Sequence, residues 1–344
     1  MEYSLNIAQT DKVLGALREK YRVYAPKRFP KEGRYSDTDI IRYAQVESFK
    51  DIVWEEKSDY PAKEVITPIQ QTLFYYTEDE YRTSKDPVKP VLILARPCDI
   101  NARHIQDEIY AGNGGYTDYY YERMSSLVKY ALMECQGGDD TCFCVSMGSN
   151  RTDDYSIALR FRPDGMEVQV KEPEFEAYFE GMPEGSYTPS VVEENQIKVT
   201  LPDLSDQQVR LALKKHPVWR EFDKRCISCG SCTLACSTCT CFSSRDLTYG
   251  DNPEAGERRR VSSSCQIEGF DQMAGQKEFR NTAGDRMRYK FLHKFHDYKA
   301  RFGKRHMCVG CGRCSHRCPE LISITATIQK VNKAVEEIKA GMAQ

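Results

Sequence analysis

The run C-V-G-C-G-R-C-S-H-R-C-P, residues 308–319, places Cys308, Cys311, Cys314 and Cys318 at C-x2-C-x2-C-x3-C spacing, with Pro319 directly after the last. The same spacing occurs earlier at Cys226, Cys229, Cys232 and Cys236. Three thiolates two residues apart wrap a turn of backbone around one iron–sulfur cube, so the fourth ligand comes from elsewhere. In two-cluster ferredoxins the last cysteine of each run serves the other run's cluster. The crossed arrangement puts Cys226, Cys229, Cys232 and Cys318 on one [4Fe-4S] cluster and Cys308, Cys311, Cys314 and Cys236 on the other. Gly230, Gly310 and Gly312 stand where the backbone must take positive φ or approach sulfide closely. A lone C-x2-C-x2-C would also suit zinc; two complete quartets with the terminal proline do not.

Working outward, 344 residues suffice for about two domains. The expected fold is an α/β or α+β domain over residues 1–204, followed by a mostly α, ferredoxin-like domain over 205–344. With 49 basic and 51 acidic side chains, net charge −2, no field draws the chain to nucleic acid. No apolar run approaches the ~20 residues of a membrane helix, and residues 1–11 lack the charged and apolar regions of a signal peptide. Fifteen cysteines gathered into ligand-like groups in so long a chain point to a reducing cytoplasm rather than to disulfides.

Along the first domain, residues 10–21 read as an amphipathic helix with Asp11 near its cap. Residues 88–95 (V-K-P-V-L-I-L-A) read as a buried strand ending in Arg96-Pro97-Cys98-Asp99 before a helix over 100–110. A second strand, 127–133, precedes Cys135, and Cys142 and Cys144 follow on the loop G-G-D-D-T-C-F-C. Functional groups gather at the carboxyl ends of such strands. Cys98, Cys135, Cys142 and Cys144 are therefore a candidate third [4Fe-4S] site, with a zinc site and plain buried thiols as alternatives. A hairpin is expected around Pro163-Asp164-Gly165, an acidic surface segment over 172–185 and a last strand over 197–201. Helices over 206–215 and 218–224 then lead into the first quartet.

Several features stay open. Cys239 and Cys241 in S-T-C-T-C-F, and Cys265 in S-S-S-C-Q, have no place in the crossed scheme; Cys239 or Cys241 either replaces Cys236 as a ligand or fills the cluster surroundings. The basic stretch from Arg258 to Arg305 either raises cluster potentials or forms a solvated face. Residues 323–340 carry Ile324, Ile328, Val331, Val335 and Ile338 on one helical stripe, which packs on its own domain or on a partner. No dinucleotide fingerprint, P-loop or serine elbow is present, and a sirohaem spacing has to be forced past Cys229 and Cys311. These features imply single-electron carriage between partners. A thiol enzyme built on Cys98 beside Asp99 and His104 is the competing class.

Taken with R-P-C-D at 96–99, T-C-F-C at 141–144, T-C-x-C-F at 238–242, S-C-Q at 264–266 and H-K-F at 293–295, the quartets make the chain resemble the dicluster iron–sulfur subunit of anaerobic sulfite reductase. The beta subunit of cytoplasmic sulfhydrogenases is similar. The resemblance covers about residues 90–330 and departs at Ser237, where many relatives have proline. It implies a hetero-oligomer: a flavin-bearing, NADH-oxidising subunit gives electrons to this chain, which passes them to a sirohaem subunit reducing sulfite to sulfide. In the sulfhydrogenase relative a nickel–iron subunit replaces the sirohaem subunit. On either reading this chain holds no substrate site of its own.

Overall fold

The computed structural model describes residues 1–83 and 89–342. Its strands are β1 (Glu2–Asn6), β2 (Arg22–Phe29), β3 (Ile40–Gln45), β4 (Gln70–Tyr76), β5 (Tyr81–Arg82), β6 (Val91–Ala95), β7 (Val128–Met133), β8 (Ile157–Arg162), β9 (Gly165–Val170), β10 (Phe242–Tyr249) and β11 (Asn252–Ser262). A seven-stranded sheet runs β1-β9-β8-β7-β6-β2-β3. Its middle strands β2, β6, β7 and β8 are parallel, and antiparallel strands close both edges.

The sequence V-L-I-L-A lacks alternation because both faces of β6 are covered, and all five side chains are buried. Leu92 and Leu94, with Ala131 and Met133, face the helix Ile7–Lys20 through Val13, Leu14 and Leu17. Val91, Ile93 and Ala95, with Tyr130 and Leu132, face Ile100 and Tyr110 of the helix Pro97–Tyr110. The strand expected over 88–95 thus occupies Val91–Ala95, and Val88 lies outside the described residues. The first helix starts earlier than its periodicity suggests, because Asn6 and Gln9 form a capping box; Asp11 instead accepts from Phe49 N at 2.6 Å.

Two other expectations change. The acidic segment 172–185 is not wholly surface: a 3-10 turn at Pro173–Phe179 buries Phe175 and Phe179, which stack on Tyr21 and Tyr3. Two aromatics four residues apart outweigh the acidic background once a sheet end is there to receive them. Residues 197–201 form no strand, since they find no ladder partner; Val199 N bonds Ser146 Oγ instead.

The C-terminal region is not simply helical. Between the quartets, β10 and β11 form a long hairpin that continues into β4 and β5, giving the antiparallel order β10-β11-β4-β5. Asp246 lies opposite Arg258 in its register and pairs with it at 2.7 Å, the cross-strand charge pairing that favours a hairpin over a helix here. Behind the hairpin, Trp219, Phe222, Phe291, Phe295, Ile328 and Val331 build a separate core. The helix Ile324–Met342 turns its apolar stripe into that core, so the stripe packs on its own chain. Phe143, from the first-domain loop, is fully buried in the same core and ties the two regions together. Among the described residues, no helix is long and apolar enough to cross a membrane.

Candidate metal centres

Two cavities lie at the cysteine quartets. The first is lined by Cys226, Cys229, Cys232 and Cys318, with Cys314, Met287, Ile322, Ile324 and Lys290 around them. The second is lined by Cys236, Cys308, Cys311 and Cys314, with Phe143, Lys290, Lys294 and Ile324. Each cavity therefore gathers three cysteines of one run and the last cysteine of the other. Glycines make the turns possible: Gly230 and Gly312, at φ 78° and 70°, precede the short helices Ser231–Leu234 and Arg313–His316. The close approach at the second quartet is to protein backbone. A Cβ on Gly310 would meet Phe143 O at 2.6 Å, and one on Gly312 would meet Thr141 O at 2.3 Å.

Those contacts belong to the T-C-F-C loop. Phe143 N donates to Gly310 O at 2.8 Å, and the Cys142 thiol donates to Cys311 O at 3.6 Å. Because β6 and β7 are adjacent and parallel, their carboxyl ends deliver Cys98 and Cys135 to one edge of the sheet. Cys142 and Cys144 fold over that edge, both buried. Cys144 feels the charge of Cys142 and Cys135, and Cys98 that of Cys144 and Cys311, so the four lie in one neighbourhood beside the second quartet; among the described residues no three ligating side chains are placed to hold a single metal ion. Polar donors surround them: Arg96 Nη1 reaches Cys135 Sγ at 3.8 Å, and Lys57 Nζ reaches Cys142 Sγ at 3.7 Å. Cys98 stands in the first turn of the helix that Pro97 opens, half-buried, and burial pushes its thiol well up, away from the reactive thiolate form. That counts against the thiol-enzyme reading.

The charges at these sites fit an anionic iron–sulfur group. Lys290 and Lys294, one helical turn apart, are each only 4% exposed. Burial works against both ammoniums, but sulfur outweighs it: Cys232 and Cys314 act on Lys290, and Cys236, Cys239 and Cys308 on Lys294, raising both. Buried ammoniums are costly without a counter-anion. A cube with its four thiolates supplies one. Metal-free, burial would push Cys314 up to about 12 and Cys144 to about 11, that is, to neutral thiols; a bound metal deprotonates its thiol ligands outright. The helix Ala283–Leu292 runs into a π-turn at His293–Asp297, and Lys294 O there accepts from Met307 N at 2.9 Å, next to Cys308.

The basic stretch thus divides. Lys290 and Lys294 face the cavities, and Arg286 bonds Ser228 Oγ in the first quartet loop at 2.9 Å. Arg258, Arg259 and Arg260 pair with Asp246, Glu257 and Asp118 on the second sheet and its rim. One functional residue is not singled out by sequence reasoning. Arg313, between two quartet cysteines, is fully buried and forks onto both oxygens of Asp99 at 2.8 and 2.7 Å, while also bonding Ser58 and Ser237. Its signal is a charged side chain inside a cluster loop, beside Cys311. It locks the Cys98 loop to the second quartet.

Cys239, Cys241 and Cys265 are also brought inward. Cys239 acts on Cys236 and draws its thiol well down, while Lys63 Nζ donates to Cys239 O at 2.9 Å. Cys241 acts likewise on Cys265 and, helped by Lys290, Gln266 and Lys294, brings it down to about 5 despite its burial.

Residues 225–322 match the 4Fe-4S dicluster domain model. The chain is 30% identical to the sulfhydrogenase 2 subunit beta of Pyrococcus furiosus over 339 residues, covering 95% of each chain. No solved structure matches. The chain carries two [4Fe-4S] clusters in its C-terminal region.

Proposed function

Because the chain belongs to the family of the sulfhydrogenase beta subunits, we propose that it is the electron-transfer subunit of a sulfhydrogenase-type complex, relaying single electrons between partner subunits. The observation that carries this reading is a row of three cysteine groups. The group of Cys98, Cys135, Cys142 and Cys144 borders that of Cys236, Cys308, Cys311 and Cys314, Cys142 Sγ lying 3.6 Å from Cys311 O. Lys290 and Cys314 line both this cavity and that of Cys226, Cys229, Cys232 and Cys318. At the far end Cys229 is exposed, flanked by Ile227 at 61% and Leu321 at 79% exposure. We assign the three groups as the ligand sets of three cubes in that order. A cube accepts and returns one electron at a time. The protein's part is to hold the sets close, exclude water and place Arg313, Lys290 and Lys294 where they favour the reduced, more negative form.

The test is iron and acid-labile sulfide on anaerobically purified protein, with EPR after dithionite. About twelve irons per chain support three cubes. About eight confine the relay to the two quartets and remove the N-terminal set. The resemblance of the quartets and accompanying motifs to the anaerobic sulfite reductase subunit gives a second reading, in which the same wire feeds a sirohaem partner that reduces sulfite, with NADH oxidised at a flavin partner. Isolation of the native complex separates the two: nickel in the catalytic partner supports the first, sirohaem the second.

A further inference from the structure

We propose that Cys241 and Cys265 form a redox-active dithiol, a two-electron centre set beside the one-electron cubes; the inference rests on the two-cluster reading above. The pair is made by tertiary structure. Phe242 opens β10 opposite Ser262 at the end of β11, and Ser263 N donates to Cys241 O at 3.0 Å. The hairpin register thus brings together two cysteines whose motifs stand well apart in sequence, close enough that each thiol acts on the other. Cys265 is 4% exposed, out of reach of bulk reagents.

Donors for a thiolate are in place. Gln266 Nε2 points at Cys265 Sγ at 3.6 Å, and its other amide hydrogen is fixed on Arg286 O at 2.9 Å. Lys290 and Lys294 act on the pair and also line the cluster cavities. A thiolate so stabilised is the attacking species in disulfide formation.

On reduction the Cys241–Cys265 disulfide bond breaks. The two electrons would come singly from reduced one-electron carriers, as bound [4Fe-4S] clusters would be; Cys241 takes one proton from solvent and Cys265 is left as the thiolate that Gln266 and Lys290 face. Oxidation is the reverse. Such a centre holds the electron pair that a two-electron partner delivers while the cubes pass electrons singly.

The test uses the full chain with its clusters, purified anaerobically. Iron is measured first; fewer than about eight per chain overturns the cluster reading and the wiring with it. The protein is then oxidised with thionine, denatured with iodoacetamide and chelator present, and mapped by peptide mass. The expected result is a Cys241–Cys265 crosslinked peptide that vanishes after dithionite treatment. In a coulometric titration wild type should take up two electrons per chain more than Cys265→Ser or Cys241→Ser, with iron content and cluster EPR unchanged. Equal alkylation of both cysteines in both states overturns the proposal. So does an equal electron count, or a loss of iron in either variant, which would make the thiol a ligand. The mapping on wild type needs no variant to fold.

Discussion

Replacing Arg313 with methionine tests how the two regions are joined. The guanidinium and Asp99 are each about 1% exposed and meet at 2.7 Å, with Ser58 and Ser237 completing the site. Removing the cation leaves the Asp99 carboxylate buried with only Ser237 and Tyr43 as side-chain donors. Breaking a buried pair on one side costs about 3–5 kcal/mol. For 344 residues, about 2.1 cal/mol/K per residue gives an unfolding entropy of roughly 0.7 kcal/mol/K, so the melting midpoint should fall by about 4–7 °C. The assay is anaerobic circular dichroism melting of cluster-loaded protein at one scan rate. The double variant Arg313→Met/Asp99→Asn removes the stranded charge and should recover part of the loss. A single-variant shift below about 1 °C, or a double variant whose loss is the sum of the two singles, would refute the argument.

Replacing Lys294 with methionine removes a buried cation that lines the second cavity; at an effective dielectric near 20, a unit charge at a contact range of ~6 Å is worth about 3 kcal/mol. The potential of the adjacent cube should drop by roughly 100 mV, read by EPR-monitored redox titration. Gly310→Ala, at φ 65° and in contact with Phe143 O, should cost about 1–3 kcal/mol and lower iron content, whereas Gly15→Ala, in a helix with open space around it, should stabilise by about 0.5–1 kcal/mol; both are read from thermal melts. Burial, with Lys294 nearby, lowers His293 to about 4, so the folded state resists a proton that the unfolded chain takes up near pH 6.5. The stability this gives is present above pH 6.5 and lost as pH falls toward 4, by up to about 3 kcal/mol; His293→Gln should flatten that part of the pH–stability curve relative to wild type. Ile328→Ala, at a fully buried position of the C-terminal helix, should cost about 2–5 kcal/mol in the chain alone, without any partner, as measured by the same melts.

The quartets are legible in the sequence because a cube imposes its spacing on the local chain: three ligands within seven residues are a property of one loop, and Gly230 and Gly312 mark its turns. The strand at Val91–Ala95 and the β8–β9 hairpin are legible for similar local reasons, a run of apolar residues and a Pro-Asp-Gly turn. The acidic segment around Phe175 and the segment over 197–201 are not, since burial of one and lack of a ladder partner for the other depend on what lies opposite.

By itself the sequence determined that two cubes are present and which cysteines are spaced to hold them, because ligand spacing is set by covalent geometry. Tertiary structure alone decided that the chain after β6 and the chain after β7, with Cys98 and Cys135, reach the same edge of the sheet, since only two adjacent parallel strands bring their carboxyl ends together. It also decided that Lys290 and Lys294 face sulfur while Arg258 and Arg259 face carboxylates. Charge carries no address in a sequence. Its effect depends on burial and on the nearest opposite charge, and both are fixed only when helix, hairpin and loop pack together.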